Sequence, residues 1–358
     1  MSIFDELGRE GPIGARLFAD RYELSHEFAE RIHAQPPHRV VAFYVGAGGN
    51  GKSALLRHLR DCGCLRLPPA QWDEVRAQPP ELFVDALGRA RPAKRVPCAL
   101  LDFSTTPFDG TRPQEAMGAL FLVKRQLAEF GIKTPRFDFA TVAYLHKTGS
   151  DVKRLIQDNF PHSEMAIAAT IADVFVALPV FQVGTALFEV MRNRLNDLLR
   201  QRRLQRRVPD DVVEKVLRLP PDPDLMAALP RFFAADLRAA LTAGDEPDRI
   251  VLLFDTFEAL TGETTATRFA DRGGPRWFRQ LVGWLPLDDG LVIAIASRSH
   301  PRWAEALTDP IPDRFVAITA LGPLPVEFAH QYLLQAGDRK STRLNSSHPQ
   351  LSRMPSSA

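Results

Sequence analysis

The sequence has little cysteine, and its spacing excludes several kinds of site. Three of the 358 residues are cysteines, at Cys62, Cys64 and Cys98, and they form no C-x-x-C pair. A disulfide-rich secreted scaffold and the usual zinc or dithiol motifs are therefore excluded. Because the N-terminus is acidic and has no apolar segment typical of a signal peptide, we expect reduced thiols and a cytoplasmic location.

Neither sign of charge dominates the chain. The 45 Lys and Arg against 43 Asp and Glu leave a formal net charge of +2, so nothing global indicates a nucleic-acid partner. The sequence also has no repeat of solenoid length and no N-K-x-D motif for reading guanine. Its length suits one large α/β domain or two smaller ones.

One stretch, residues 165–191, is apolar and long enough to span a membrane. Two acidic residues, a proline and a glycine lie within it, so a buried or hairpin-forming helical pair is favoured and a membrane segment stays an alternative. The arginine-rich residues 192–207 follow. We interpret them as a solvated helix face, with a membrane flank or a nucleic-acid contact as alternatives.

What the sequence does contain is a phosphate-binding loop. Residues 46–53 read GAGGNGKS and match the Walker A motif G-x-x-x-x-G-K-[ST]. The glycines let successive N–H groups form an anion-binding nest, Lys52 can reach the β- and γ-phosphates, and the Ser53 hydroxyl can bind Mg²⁺. A predicted strand at residues 39–45 and a predicted helix at residues 53–61 flank the loop. The predicted nucleotide-binding residues are Gly46, Ala47, Gly48, Gly49, Asn50, Gly51, Lys52, Ser53 and Ala54.

Three further polar residues follow predicted strands. Asp255 ends an apolar run in the Walker B pattern and could hold Mg²⁺ opposite Ser53, although a helix-capping role is the simpler alternative. Glu258 could polarise the attacking water or be a first-turn glutamate that the helix dipole favours. Arg298 could sense the γ-phosphate or form a surface salt bridge. With Lys52, these are the predicted catalytic residues.

Strands alternating with helices after a P-loop predict a three-layer α/β P-loop NTPase fold, with five parallel core strands and a long helical insertion before the Walker B strand. The predicted units are the N-terminal segment and helix 1–38, the first core part 39–138, the insertion 139–248, the second core part 249–325, the start of a helical lid 326–337 and the tail 338–358.

Residues 338–358 do not resemble a natural protein sequence. Residues 338–348, DRKSTRLNSSH, are the translation of a widely used sequencing-adapter string, and residues 352–358, SRMPSSA, translate its continuation. We therefore expect 338–358 to be an artefactual, disordered tail and the gene to encode further C-terminal domains. A natural serine-rich disordered tail is the alternative.

Several of these motifs together resemble the signal-transduction ATPases with numerous domains, the STAND class of P-loop NTPases related to AAA+ proteins. GAGGNGKS is similar to the G-x-G-G-x-G-K-[ST] loop of that class. VLLFDTFEAL resembles its Walker B strand, with Asp255 as the metal carboxylate, and IASRS resembles its strand-terminal arginine, at Arg298.

Two weaker motifs extend the resemblance to either side. Residues 17–24, LFADRYEL, are similar to the F-x-x-R-x-x-E-L motif before the nucleotide domain, with Phe18, Arg21 and, one residue early, Glu23. Residues 319–334 are similar to the L-x-P-L-x-x-x-E-A-x-x-Y-L stretch that begins the helical lid.

The resemblance implies an ATP-binding switch with ATP and Mg²⁺ as cofactors, a C-terminal sensor or repeat domain, and a homo-oligomer as the assembled state. DTFE lacks a second acidic residue directly after Asp255, which argues for slow hydrolysis. The alternatives are an AAA+ ATPase that acts on nucleic acid through residues 192–207, and a membrane-tethered scaffold that uses residues 165–191.

Overall fold

The computed structural model of the chain describes residues 21–105, 112–150, 169, 171–172, 192–197, 200, 208–244, 247–261 and 274–323.

A five-stranded parallel sheet organises these residues. Its strands are β1 (Val41–Val45), β2 (Cys98–Asp102), β3 (Ile250–Asp255), β4 (Leu291–Ser297) and β5 (Val316–Ala320), arranged in the order β2-β3-β4-β1-β5. The predicted α/β class and the five parallel strands are confirmed. β1 lies between β4 and β5, which both come much later in the chain. The direction in which successive strands are added to the sheet therefore reverses beside β1. Ligands of open α/β sheets bind at such a switch point.

Helices cover both faces of the sheet. Phe43 of β1 packs in one apolar core with residues of α5 (Ala116–Ala128), α6 (Pro135–Lys147), α8 (Met226–Thr242) and α10 (Arg276–Trp284). Tyr44 packs on the opposite face with residues of α1 (Tyr22–His33) and α2 (Lys52–His58). All residues of β1, β3 and β4 are buried, which explains why these strands read as continuous apolar runs.

The long segment before β3 is helical where the structure describes it. The predicted start of the insertion, residue 139, lies inside α6, which begins at Pro135. Further along the chain, α7 (Asp210–Arg218) and a π-turn, Pro221–Leu225, precede α8. The sequence predicts an interruption near Pro230, but α8 continues through it. Leu229 and Phe233 on either side of this proline are fully buried, and their packing holds the helix together despite the missing N–H.

The Pro-, Arg- and Ala-rich residues 63–97 predict a surface insertion with one short helix at residues 81–89, but the structure contains more than that. A two-residue antiparallel ladder, Leu65–Arg66 with Lys94–Arg95, encloses α3 (Pro69–Arg76) and α4 (Pro80–Arg89). Trp72 and Phe83 form a small core with Ala29 of α1. The insertion is therefore packed against the N-terminal helix.

His33 joins α1 to this insertion. Its Nδ1 lies 2.8 Å from the Ala29 carbonyl oxygen, its Nε2 accepts a hydrogen bond from the Leu67 N–H at 2.9 Å, and its ring stacks on Trp72 with centroids 3.9 Å apart. An Nε2 that accepts a hydrogen bond belongs to a neutral ring. Burial lowers the pKa of His33 to about 4, against the opposing hydrogen bond to Ala29.

We expect acid to destabilise the protein through His33. Because its pKa is about 4 in the folded state and 6.5 as a free group, the unfolded state takes up a proton first as pH falls. The contribution is intact above pH 6.5 and is lost between pH 6.5 and 4, by roughly 3 kcal/mol. Urea unfolding across this range should show a shallower pH dependence in His33→Gln than in the wild type. His38→Gln, the same substitution at an exposed position, is the comparison variant; a wild-type slope in His33→Gln would contradict the prediction.

Candidate functional site

The predicted P-loop lies at the carboxyl end of β1, where the strand order reverses. Gly46 follows Val45 directly, and a Cβ on Gly46 would lie 2.4 Å from the Leu321 carbonyl oxygen, so only glycine fits there. Gly51 has a φ of 79° just before α2 begins at Lys52, a conformation that favours glycine. Ala47, Gly48, Gly49 and Ala54 are exposed, whereas Gly46, Asn50, Gly51 and Ser53 are half-buried.

Lys52 is buried against the loop that it follows. Its Nζ donates to the carbonyl oxygens of Gly46 at 2.7 Å and Ala47 at 2.8 Å. Burial lowers the pKa of Lys52, and the nearby carboxylates of Glu258 and Asp255 oppose that shift. The ammonium group is therefore placed inside the curve of the loop, with acceptors that a phosphate oxygen could replace.

Ser53 and Asp255, the two predicted metal ligands, lie near each other, although they come from α2 and from the end of β3. Asp255 is 3% exposed, and this burial raises the pKa of its carboxyl group against the opposing effects of the Ser53 side chain and of the hydrogen bond from the Thr256 N–H. The pair presents a hydroxyl and a carboxylate oxygen, the donors that Mg²⁺ prefers.

Glu258 and Arg298 also meet, at the ends of neighbouring strands. The Arg298 Nε lies 2.9 Å from one carboxylate oxygen of Glu258, and the Arg298 N–H donates to the other at 3.1 Å. A Cβ on Gly48 would lie 3.9 Å from the guanidinium carbon, so the pair borders the P-loop. Arg298 keeps 57% of its side chain exposed and Glu258 11%. Arg298 thus forms a salt bridge, as one of its two predicted roles requires, and it also lies beside the predicted phosphate-binding loop, as the other role requires.

The turn between Asp255 and Glu258 is strained. Thr256 has a φ of 55°, which is costly for a β-branched residue. Its N–H donates to the Asp255 carboxylate at 2.8 Å, and the Phe257 N–H donates to the Ala296 carbonyl at 3.0 Å. These bonds hold the turn and set the direction in which Glu258 leaves the sheet.

No protein-family model, curated protein or solved structure matches this chain.

Two charged residues near Asp255 were not among the predicted site residues. Asp102 pairs with Asp255 in the register of β2 and β3, and its carboxylate accepts hydrogen bonds from the Ser104 N–H and hydroxyl. Arg57 acts on Asp255 from α2 and favours its charged form. Its position four residues after Ser53 places both on one helix face, which is the sequence signal for it.

The segments on either side of the predicted nucleotide domain converge on the P-loop. Arg21 donates to the Gly322 carbonyl at 2.7 Å and to the Asn50 carbonyl at 3.4 Å. The Asn50 side chain donates to the Leu321 carbonyl at 2.7 Å. The arginine of the N-terminal motif thus bridges the P-loop and the residues that follow β5.

Other predicted features give a mixed outcome. Within the described residues, no helix is long and apolar enough to cross a membrane, and no three His, Cys, Asp or Glu side chains are grouped as a metal site. Most of 165–191 lies outside those residues; Ile171 and Ala172 are buried in the same apolar core as Phe43. Most of 192–207, and all of 326–337 and 338–358, also lie outside them.

Proposed function

We propose that this chain is a P-loop NTPase that binds ATP with Mg²⁺ at the carboxyl end of β1. The observation that carries the proposal is the placement of the Lys52 ammonium group, which is bound by the Gly46 and Ala47 carbonyl oxygens beside the end of β3, where Ser53 lies near the buried Asp255. A glycine-rich loop, a buried lysine and this pair lie together where the strand order reverses. That combination supports phosphate binding more strongly than the motif alone.

Ser53 and Asp255 would hold the metal ion, which supplies neutralising charge to the phosphate oxygens. Their oxygens fit a hard cation, and a site completed by phosphate and water needs few protein ligands. The burial of Asp255 makes its carboxylate a stronger partner for a cation than an exposed one would be. Lys52 exchanges its two carbonyl acceptors for phosphate oxygens and fixes the polyphosphate against the loop.

The arrangement of Glu258 and Arg298 supports the proposal of slow hydrolysis. Arg298 engages both carboxylate oxygens of Glu258, through its side chain and its backbone N–H. A carboxylate whose two oxygens both accept hydrogen bonds from Arg298 has fewer lone pairs free to orient an attacking water. The same guanidinium borders Gly48, so a phosphate group bound in the loop would lie within its reach.

The finer assignment rests on the resemblance to the STAND class. We infer a cytoplasmic, adenine-specific switch in which ATP binding, rather than rapid turnover, carries the signal. The bridge from Arg21 to Asn50 and Gly322 supports this reading, because it connects the P-loop to the segment that begins the lid in that class.

Mg²⁺-dependent binding of ATP tests the proposal. We expect the wild type to bind a fluorescent ATP analogue more tightly with Mg²⁺ than with EDTA. Asp255→Asn should lose about tenfold of the affinity in Mg²⁺, roughly 1.4 kcal/mol, and little in EDTA. Asp102→Asn is the matched control, since Asp102 ends the neighbouring strand but bonds to Ser104. A wild type that binds no ATP, or equal effects of the two variants, would refute the proposed site.

Replacing Glu258 separates binding from hydrolysis. In Glu258→Gln the amide oxygen still accepts from Arg298, but it has no basicity. We expect the ATPase rate to fall by about 100-fold or more, while the dissociation constant for ATP stays within about twofold. Single-turnover phosphate release measures the first and equilibrium titration the second. Unchanged turnover would mean that Glu258 is a first-turn glutamate of the short helix α9 (Glu258–Thr261), favoured by the helix dipole, with no role in hydrolysis.

A further inference from the structure

A cavity of about 330 Å³ that the proposed function does not use lies at the amino ends of β2 and β3. Because the strands are parallel and the P-loop follows the carboxyl end of β1, the cavity is at the opposite edge of the sheet. Its volume is at the lower end of the range of small-molecule sites. The described residues that line it include four prolines and five charged residues, of which one is acidic: Arg66, Lys94, Arg95, Arg249 and Asp248.

Two of these cations, Arg66 and Arg249, are buried together against the end of α1. The Arg66 Nη1 and the Arg249 Nε donate to the same carbonyl oxygen, that of Ile32, at 2.7 and 3.0 Å. The Arg249 Nη2 donates to the Ala34 carbonyl oxygen at 2.6 Å. The side chain of Arg249 is 4% exposed and that of Arg66 16%. Burial, and after it the charge of Arg66, lowers the pKa of Arg249, so the two like charges destabilise each other.

The negative charge that the described lining provides does not balance these two guanidinium groups. The carbonyl end of a helix is equivalent to about half a negative charge. The Asp248 Oδ2 lies 3.2 Å from the Arg66 Nε and 3.8 Å from the Arg249 Nη1, but 59% of the Asp248 side chain is exposed. Lys94 and Arg95 add positive charge from an exposed strand. Because a buried charge is costly without a counterion, the cavity favours an anion.

We propose that this cavity binds a small molecule through a phosphate group. A dianion matches the excess of positive charge better than a single carboxylate does, and arginine forks and lysine ammonium groups are the usual partners of phosphate. The phosphate oxygens would replace the Asp248 carboxylate at the Arg66 Nε, while Lys94 and Arg95 contact them from the exposed strand. Asp248 is therefore an internal competitor of the ligand.

Labelling of the folded, full-length chain with pyridoxal 5′-phosphate tests the cavity. The aldehyde condenses with a lysine amine with loss of water, borohydride reduces the imine, and peptide mapping locates the product. We expect Lys94 to be labelled about tenfold faster than the exposed Lys133, because a bound phosphate raises the local concentration of the aldehyde. Pyridoxal, which has no phosphate, should show no such preference. Inorganic phosphate should protect Lys94, and acetate at equal ionic strength should not.

Removing the internal competitor should strengthen binding. In Asp248→Asn we expect Lys94 to be labelled about two- to fivefold faster, the range that the loss of an exposed ion pair allows. Asp288→Asn is the matched control: Asp288 is also about half exposed and paired with an arginine, Arg39, but it lies outside the lining of this cavity. It should leave the rate unchanged.

Removing a cation from the cavity should have the opposite effect. In Arg95→Gln we expect the labelling of Lys94 to slow by about fivefold, the size of one charge–charge contact in water. Arg89→Gln removes an exposed arginine from α4 of the same insertion, outside the lining, and should not slow it.

Three results would overturn the phosphate site. They are labelling of Lys94 no faster than that of Lys133, equal labelling of Lys94 by pyridoxal, and equal effects of Asp248→Asn and Asp288→Asn. The label on Lys52 is read from a different peptide and reports on the P-loop. A chain labelled at Lys52 but not at Lys94 would therefore lose this cavity and keep the proposed nucleotide site.

Discussion

Replacing Lys52 by alanine is expected to weaken ATP binding by about 100-fold, or about 3 kcal/mol. The ammonium group makes two hydrogen bonds inside the loop, to Gly46 and Ala47, and can redirect both to phosphate oxygens. Hydrogen bonds to charged groups are worth about 1.5–3 kcal/mol each. In the wild type Lys52 must give up its two bonds to the loop carbonyls in order to bind phosphate. The net loss of affinity in Lys52→Ala is therefore smaller than the sum of two such bonds. Isothermal titration with Mg²⁺ and ATP measures the change.

The control for this measurement is Lys133→Ala, which removes an exposed lysine beyond the end of α5. It should bind ATP as the wild type does. Circular dichroism establishes whether Lys52→Ala keeps its fold, since the loop carbonyls lose their partner. Equal ATP affinity in a folded Lys52→Ala protein and in the wild type would remove the basis for the nucleotide site.

The largest loss of stability is expected from Lys124→Met. Lys124 is completely buried on α5 and forms an ion pair with Asp138 of α6, which is 5% exposed. Removing one member of a buried pair leaves the other charge without its counterion, at a cost of about 3–5 kcal/mol. The free energy of unfolding from urea titration should fall by that amount.

A double variant distinguishes the ion pair from a simple packing defect. In Lys124→Met with Asp138→Leu, two apolar side chains replace the two charges, and most of the lost stability should return. Thr134, whose hydroxyl lies 3.4 Å from the Asp138 carboxylate, loses its acceptor, so the recovery should be incomplete. A single variant that costs less than about 1 kcal/mol, the size of a surface ion pair, would contradict the assignment.

The sheet could be predicted from the sequence because its strands are buried on both faces. RIVLLF and LVIAIA contain too many apolar residues for a half-exposed strand, and they predict strands at 249–254 and 291–296. The structure places both strands within one residue of these bounds. The ladder of Leu65–Arg66 with Lys94–Arg95 could not be predicted, since two residues carry no periodicity. α3 begins at a proline in a proline-rich segment, where composition indicates a loop.

The geometry of the candidate site could be predicted from the sequence only in part. Parallel strands place Asp255 and Arg298 at one edge, and the sequence predicts that much. The contact between Glu258 and Arg298 depends on the strained turn at Thr256, and a positive φ at a threonine has no sequence signature. Likewise, the bridge from Arg21 to Gly322 joins residues from the two ends of the described chain, a separation that local patterns do not encode.

The position of β1 also determines when the site can exist during synthesis. β1 pairs only with β4 and β5 among the described strands, and both are translated long after it. Between Val45 and Leu291 the ribosome adds about 250 residues, which takes roughly 10–50 s at 5–20 residues per second. Throughout that time the nascent P-loop lacks both neighbouring strands, and both edges of β1 present unpaired backbone groups. The proposed nucleotide site is therefore assembled late, and a chaperone that shields β1 would act on the nascent chain before the site is complete.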